Sequence, residues 1–255
     1  MFSDLSKILI LAGAIQGIVL AMFLILRKEN KEANIYLILL FFLIGAKMFF
    51  FFLENYYFPA PYSQFTRFII RSIPFLYPPL FYFYVQKVTR HPFPNLFTQS
   101  IHFLPFLLYL IIVVGAFKTN VPLFKNFEFI LNAFGRDMTK GILTIVYLII
   151  SYRTIIKFLK TKDTAGVSGQ KNKLIWLKQT ILTALGILFL QFTISFFIEF
   201  SSPKILIKSN PFVVQYFVLT IFMFWVTYKA ISIPYLFQRP DKKHFKEALG
   251  EVKYK

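Results

Sequence analysis

Seven stretches of about 20 mostly apolar residues follow one another along this chain, and no other feature limits its fold as much. That length matches a hydrocarbon layer about 30 Å thick crossed by a helix rising 1.5 Å per residue. Inside such a layer water cannot satisfy the backbone, so each stretch must bond to itself as a helix. The seven run over about Ile8–Leu26, Ile35–Tyr56, Phe65–Thr89, Ser100–Phe117, Met138–Leu159, Leu174–Phe200 and Phe212–Ile233. Hydrophobic residues make up 57% of the chain and charged residues 16%, which sets it apart from soluble domains of this length. The expected fold is an all-α membrane protein: a seven-helix transmembrane domain over 1–233, then a basic cytoplasmic tail or linker helix over 234–255.

The net charge of +18 is read through the loops. Counted on alternate sides with the span ends included, nineteen Lys and Arg fall on one side and nine on the other, with Lys47 left inside a span. The richer side is cytoplasmic by the positive-inside bias, which puts the amino terminus outside and the carboxyl terminus inside. This bias explains the basic balance without any nucleic acid bound to the segment itself. The first run is not a signal peptide, because Arg27, Lys28 and Lys31 follow it and no small-residue cleavage site is present. It carries Gly13 and Gly17, a GxxxG pair that suits close helix packing within the chain better than dimerisation, although a homodimer stays open.

The third span, FTRFIIRSIPFLYPPLFYFYVQKVT, holds two arginines and three prolines that an idle anchor would not need. Arg67 and Arg71 are four residues apart and share a helix face. Pro74, Pro78 and Pro79 remove backbone donors, so either a hinge or a static kink is expected there. Lys47 and Glu54 in span two, Gln191 and Glu199 in span six, and the two arginines complete a set of intramembrane polar groups. The charged members other than Lys47 lie toward the outer ends of their spans. Charges at such depth cost about 2.5–3.5 kcal/mol at mid-bilayer on insertion scales, so they must be paired, hydrated or snorkelling. Lys47, Arg67 and Arg71, balanced by Glu54 and Glu199, could form an outward-opening pocket for a polar or anionic ligand. In the competing reading Arg71 pairs with a glutamate and Arg67 reaches the headgroups.

Enzyme chemistry has little foothold. There are no cysteines, and His91, His102 and His244 are scattered with no HExxH spacing. No Gly-rich phosphate loop or GxSxG elbow occurs, so neither an enzymatic activity nor a cofactor is expected. A small-solute transporter or channel is the rival class, weakened because the proline pattern of span three does not recur near span seven. In the tail, Phe245, Ala248, Leu249 and Val252 have the i, i+3, i+4, i+7 spacing of an amphipathic helix. That helix either rests on the membrane surface or transmits a signal through Phe245, Leu249 and Val252.

Four segments in order, QGIVLAMFLILRKENKEAN, PFLYPPLFYFYVQKVT, HFLPFLLYL and IWLKQTIL, give the chain a resemblance to the seven-span amino-terminal region of bacterial membrane-bound AraC-type transcriptional regulators. The resemblance extends from about Gln16 to Tyr235 and departs at Pro78, where glycine is expected. It implies a sensor embedded in the bacterial cytoplasmic membrane, surrounded by lipid, that reaches DNA only through a cytoplasmic helix-turn-helix domain. No such domain follows in the sequence up to Lys255.

Overall fold

The computed structural model describes residues 2–27, 30–56, 70, 72–89, 95–118, 136–160, 168–200 and 211–232, with side chains over most of these. Every regular element among them is helical: α1 (Phe2–Leu26), α2 (Lys31–Tyr56), a 3₁₀ turn (Ile73–Leu76), α3 (Tyr77–Val88), α4 (Leu96–Ile101), α5 (Leu104–Lys118), α6 (Arg136–Lys160), α7 (Ser168–Phe200) and α8 (Pro211–Ser232). Four of these contain segments long and apolar enough to cross a membrane, namely Lys7–Leu26, Lys31–Glu54, Thr139–Lys160 and Asn172–Thr193. A shorter apolar segment, Tyr216–Ala230, lies in α8.

The elements begin and end where local chemistry requires. Asn30 adopts a left-handed φ of 53°, which asparagine tolerates better than most residues, and its carbonyl accepts from Ala33 and Asn34 to open α2. The Asn95 side chain caps α4 by accepting from the Thr98 backbone N–H at 3.1 Å. The fourth apolar run is not one helix. Pro105 has no N–H to bond back to Ile101, and the chain tightens instead, His102 to Gln99 and Phe103 to Ser100, before α5 starts.

Helix packing follows the chain closely. α1 lies against both α2 and α8, α2 against α3, α3 against α6, α6 against α7, and α7 touches α8 to close a ring. α5 leans on the 3₁₀ turn, where Phe75 and Tyr109 rings sit 5.0 Å apart with Phe106 and Leu143 around them. Contacts at the two ends fix the direction of the helices. At one end Lys7 lies over Tyr56, Phe51 meets Tyr216, and Lys140 lies over Phe75. At the other, Glu32 meets Lys87, Lys173 lies over Tyr84, and Lys178 lies over Tyr152.

The closest approach is between α1 and α2. A Cβ on Gly17 would stand 2.9 Å from the Gly45 Cα and 3.0 Å from the Phe41 carbonyl oxygen, so the two backbones touch. Gly13 faces Thr220 of α8 and Met48 instead. The GxxxG pair is thus divided between two neighbours within the chain. Thr220 in turn donates to the Tyr216 carbonyl at 2.9 Å and lies 3.3 Å from that of Leu9.

The outward faces are as apolar as the core. Ile15, Val19, Met22 and Leu26 on α1, Phe97, Ile101, Leu104, Leu108 and Ile111 across α4 and α5, and Phe217, Ile221, Phe224 and Tyr228 on α8 are all exposed. Their spacing of three and four residues draws one continuous stripe along each of these helices. A monomer in water rarely leaves so much apolar surface uncovered.

Candidate functional site

Lys47 stands in the middle of α2, half-buried, with its ammonium 5.8 Å from the centre of the Tyr216 ring. Phe51, one turn further along α2, stacks on the same ring at 3.9 Å and 25°. Tyr216 is therefore held between two α2 side chains four residues apart, one cationic and one aromatic. The residue comes from the first turns of α8, so this clasp ties α8 to α2. Glu54 lies on the face of α2 that carries Lys47, seven residues on and half-buried. Two residues further along α2, Tyr56 lies under Lys7 of α1, 5.3 Å from its ammonium.

The other expected members are placed less closely. Gln191 is half-buried on α7, where the next residue, Phe192, packs over Gly141 of α6, a different helix pair from the one holding Lys47. Arg67 and Arg71 lie outside the described residues, as do the side chain of Glu199 and the tail residues Phe245, Leu249 and Val252.

The prolines of the third span are placed with clear consequences. Pro74 sits in the first turn of the 3₁₀ segment, and Pro78 and Pro79 sit in the first turn of α3. A regular helix would send the N–H of residue 78 to the Pro74 carbonyl, and proline has none. Tyr77 supplies the substitute, donating to Pro74 over three residues instead of four. The prolines thus tighten the rod into a 3₁₀ segment and restart it, at the position where missing donors cost least. Tyr77 also directs its hydroxyl at the Leu43 carbonyl of α2, at 3.4 Å.

The structure also brings together two polar groups whose members no sequence spacing connected. In the first, Gln86 donates from Nε2 to the Tyr82 hydroxyl, and His102 Nδ1 pairs with the Tyr147 hydroxyl at 2.6 Å. The rings of Tyr82, His102 and Tyr147 stand 5.5–5.6 Å apart, edge-on or tilted, and join α3, α6 and the α4–α5 junction. In the second, Lys173 of α7 is 4% exposed, with its ammonium 5.7 Å from the Tyr84 ring centre. Lys173 counts as a loop charge by sequence, yet it heads the buried stripe Lys173, Trp176, Leu177, Thr180 and Ile181. That spacing was the available signal. Residues 45 apart, such as His102 and Tyr147, offered none.

No protein-family model matches the chain, and neither a curated protein nor a solved structure is found to be similar to it.

Proposed function

We propose that this chain is the seven-span membrane domain of a bacterial regulator, amino terminus outside and carboxyl terminus in the cytoplasm. Its role is to receive a polar or anionic ligand at the outer side and to tether or signal to a cytoplasmic AraC-type DNA-binding module. The resemblance of the four apolar segments supports the family. The observation that carries the mechanism is the Tyr216 clasp: Lys47 and Phe51 of α2 grip the start of α8, whose far end leads into residues 234–255. An anion drawn to Lys47 competes with the Tyr216 ring for the ammonium. Release of that ring alters how α8 lies against α2, and the change is carried along α8 to the tail. A ligand shifts this equilibrium only by as much as it favours one arrangement over the other.

The absence of cysteine makes the topology directly testable. Single cysteines at Ser3 and at Ser168 should label from opposite sides of the membrane, Ser3→Cys from outside, with an impermeant maleimide. Labelling of both from one side overturns the orientation. The regulatory role is tested by the coding sequence after codon 255. An in-frame helix-turn-helix supports it, and a stop codon with no neighbouring helix-turn-helix gene overturns it.

A further inference from the structure

We infer that Lys173, Tyr84 and Ser151 form a binding site for a phosphate-type anion inside the bundle, reached from the end that carries Glu32 and Lys87. Lys173 is 4% exposed, and Tyr84 and Ser151 are 0% exposed. The Lys173 ammonium faces the Tyr84 ring at 5.7 Å, and no carboxylate among the described residues pairs with it. The Tyr84 hydroxyl and the Ser151 hydroxyl are buried with no hydrogen-bond partner among the described residues.

The three side chains come from three helices that meet. α6 packs against both α3 and α7, and Ser151 stands on its buried face between Leu148 and Ile155. Tyr84 of α3 belongs to the apolar core that also holds Leu148, Ile155, Leu174 and Leu177, and Lys173 of α7 lies over its ring. An ammonium surrounded by such residues is unfavourable unless an opposite charge or hydrogen bonds meet it. The chain has 29 basic residues and 11 acidic ones, so a counter-ion from outside is the ready source. One ammonium and two free hydroxyls form a set of donors, and a tetrahedral phosphate can accept from all three.

The level in the bundle agrees with this chemistry. Tyr84 lies one turn before Lys87, whose ammonium meets the exposed Glu32 at 3.3 Å. The site is thus about one turn below the rim, at the depth of lipid phosphates if the membrane reading above holds. A headgroup and a free phosphate present the same chemistry, and the experiment separates them.

The test measures the thermal unfolding midpoint of the purified 255-residue chain in phosphatidylcholine nanodiscs, with and without inorganic phosphate, and in nanodiscs containing phosphatidylglycerol. One or both anions should raise the midpoint by about 4 °C or more. Lys173→Met should raise the midpoint in neutral lipid without phosphate, by removing an uncompensated charge, and should lose the response to anions. Lys178→Met, on the same helix over Tyr152, should keep it. A response to phosphate alone identifies a free anion, and a response to phosphatidylglycerol alone identifies a headgroup. Should Lys173→Met fail to fold, Lys173→Arg should keep the response while Tyr84→Phe and Ser151→Ala diminish it. Absence of any response in the unaltered chain, a full response in Lys173→Met, or a response undiminished in both hydroxyl variants overturns the site. None of these outcomes touches the Tyr216 clasp.

Discussion

Gly17 and Gly45 meet backbone to backbone at the crossing of α1 and α2, with no room for a methyl group on either. Lipid tails are as apolar as leucine, so helices in a bilayer gain little from burying apolar surface and associate through close contact. A Cβ on Gly45 would approach the Ala14 carbonyl oxygen to 2.8 Å, and backbone cannot move aside as a side-chain tip can. Gly17→Ala and Gly45→Ala should each destabilise the chain by about 1–3 kcal/mol, the range for overpacking. Gly186 is exposed with nothing within 4 Å, and Gly186→Ala should leave stability equal or raise it by about 0.5–1 kcal/mol. Thermal unfolding in one detergent checks all three, and equal effects at Gly17 and Gly186 would contradict the crossing.

Removal of the Tyr216 ring should loosen α8. Tyr216→Ala takes away the stack on Phe51 and the partner of Lys47, a loss of about 3–5 kcal/mol for a buried aromatic residue. Tyr216→Phe keeps the ring and should cost less than about 1.5 kcal/mol. Unfolding midpoints of the two variants give the comparison, and a Phe variant as weak as the Ala variant would place the interaction in the hydroxyl.

Replacement of Pro78 and Pro79 by alanine returns two backbone donors to the start of α3. The Pro74 carbonyl could then accept from residue 78 as in a regular helix, and the 3₁₀ segment should relax toward α. Amide exchange over residues 75–82 should slow in the double variant, with overall stability unchanged or increased. If the 3₁₀ segment serves as a hinge, the same variant should also lose ligand response while staying folded. Faster exchange there would show that the prolines stabilise the rod.

The pair between His102 and Tyr147 joins the α4–α5 junction to α6. Tyr147→Phe removes the hydroxyl and should cost about 0.5–1.5 kcal/mol, with a change in the His102 ring resonances. A stability loss with His102 resonances unmoved would show that the two side chains are not bonded.

Much of the architecture was legible in the sequence because apolar length dictates it. Lys31–Glu54 is a continuous apolar helix for the reason its composition suggested, and the Gly13 and Gly17 spacing pointed to a tight crossing. Single-residue effects were harder to read. Pro105 stands in the first turn of α5 as Pro78 and Pro79 stand in that of α3, and sequence position alone does not show that the fourth run breaks into two helices before it. Lys173 was hidden for a different reason. A lysine beside a polar loop looks solvated, and its place at the head of the stripe through Trp176, Leu177, Thr180 and Ile181 was the one sign that it is buried, against Tyr84 of α3. Of the polar residues singled out within the spans, Lys47 meets Tyr216 of α8 while Gln191 lies on a different helix pair, and which helices are neighbours is encoded by no spacing.

Thr220 rests near the carbonyl of Leu9, which precedes it by 211 positions in the chain, and it fills the notch beside Gly13. The ribosome adds about 5–20 residues per second, so the first helix waits roughly 10–40 s after its own emergence for this neighbour. Through that interval the earlier helices can assemble only a half-built groove, with the notch beside Gly13 lacking Thr220. Truncation before α8 should therefore yield a protein in which α1 lacks this neighbour, which makes the arrival of α8 the step that closes the ring.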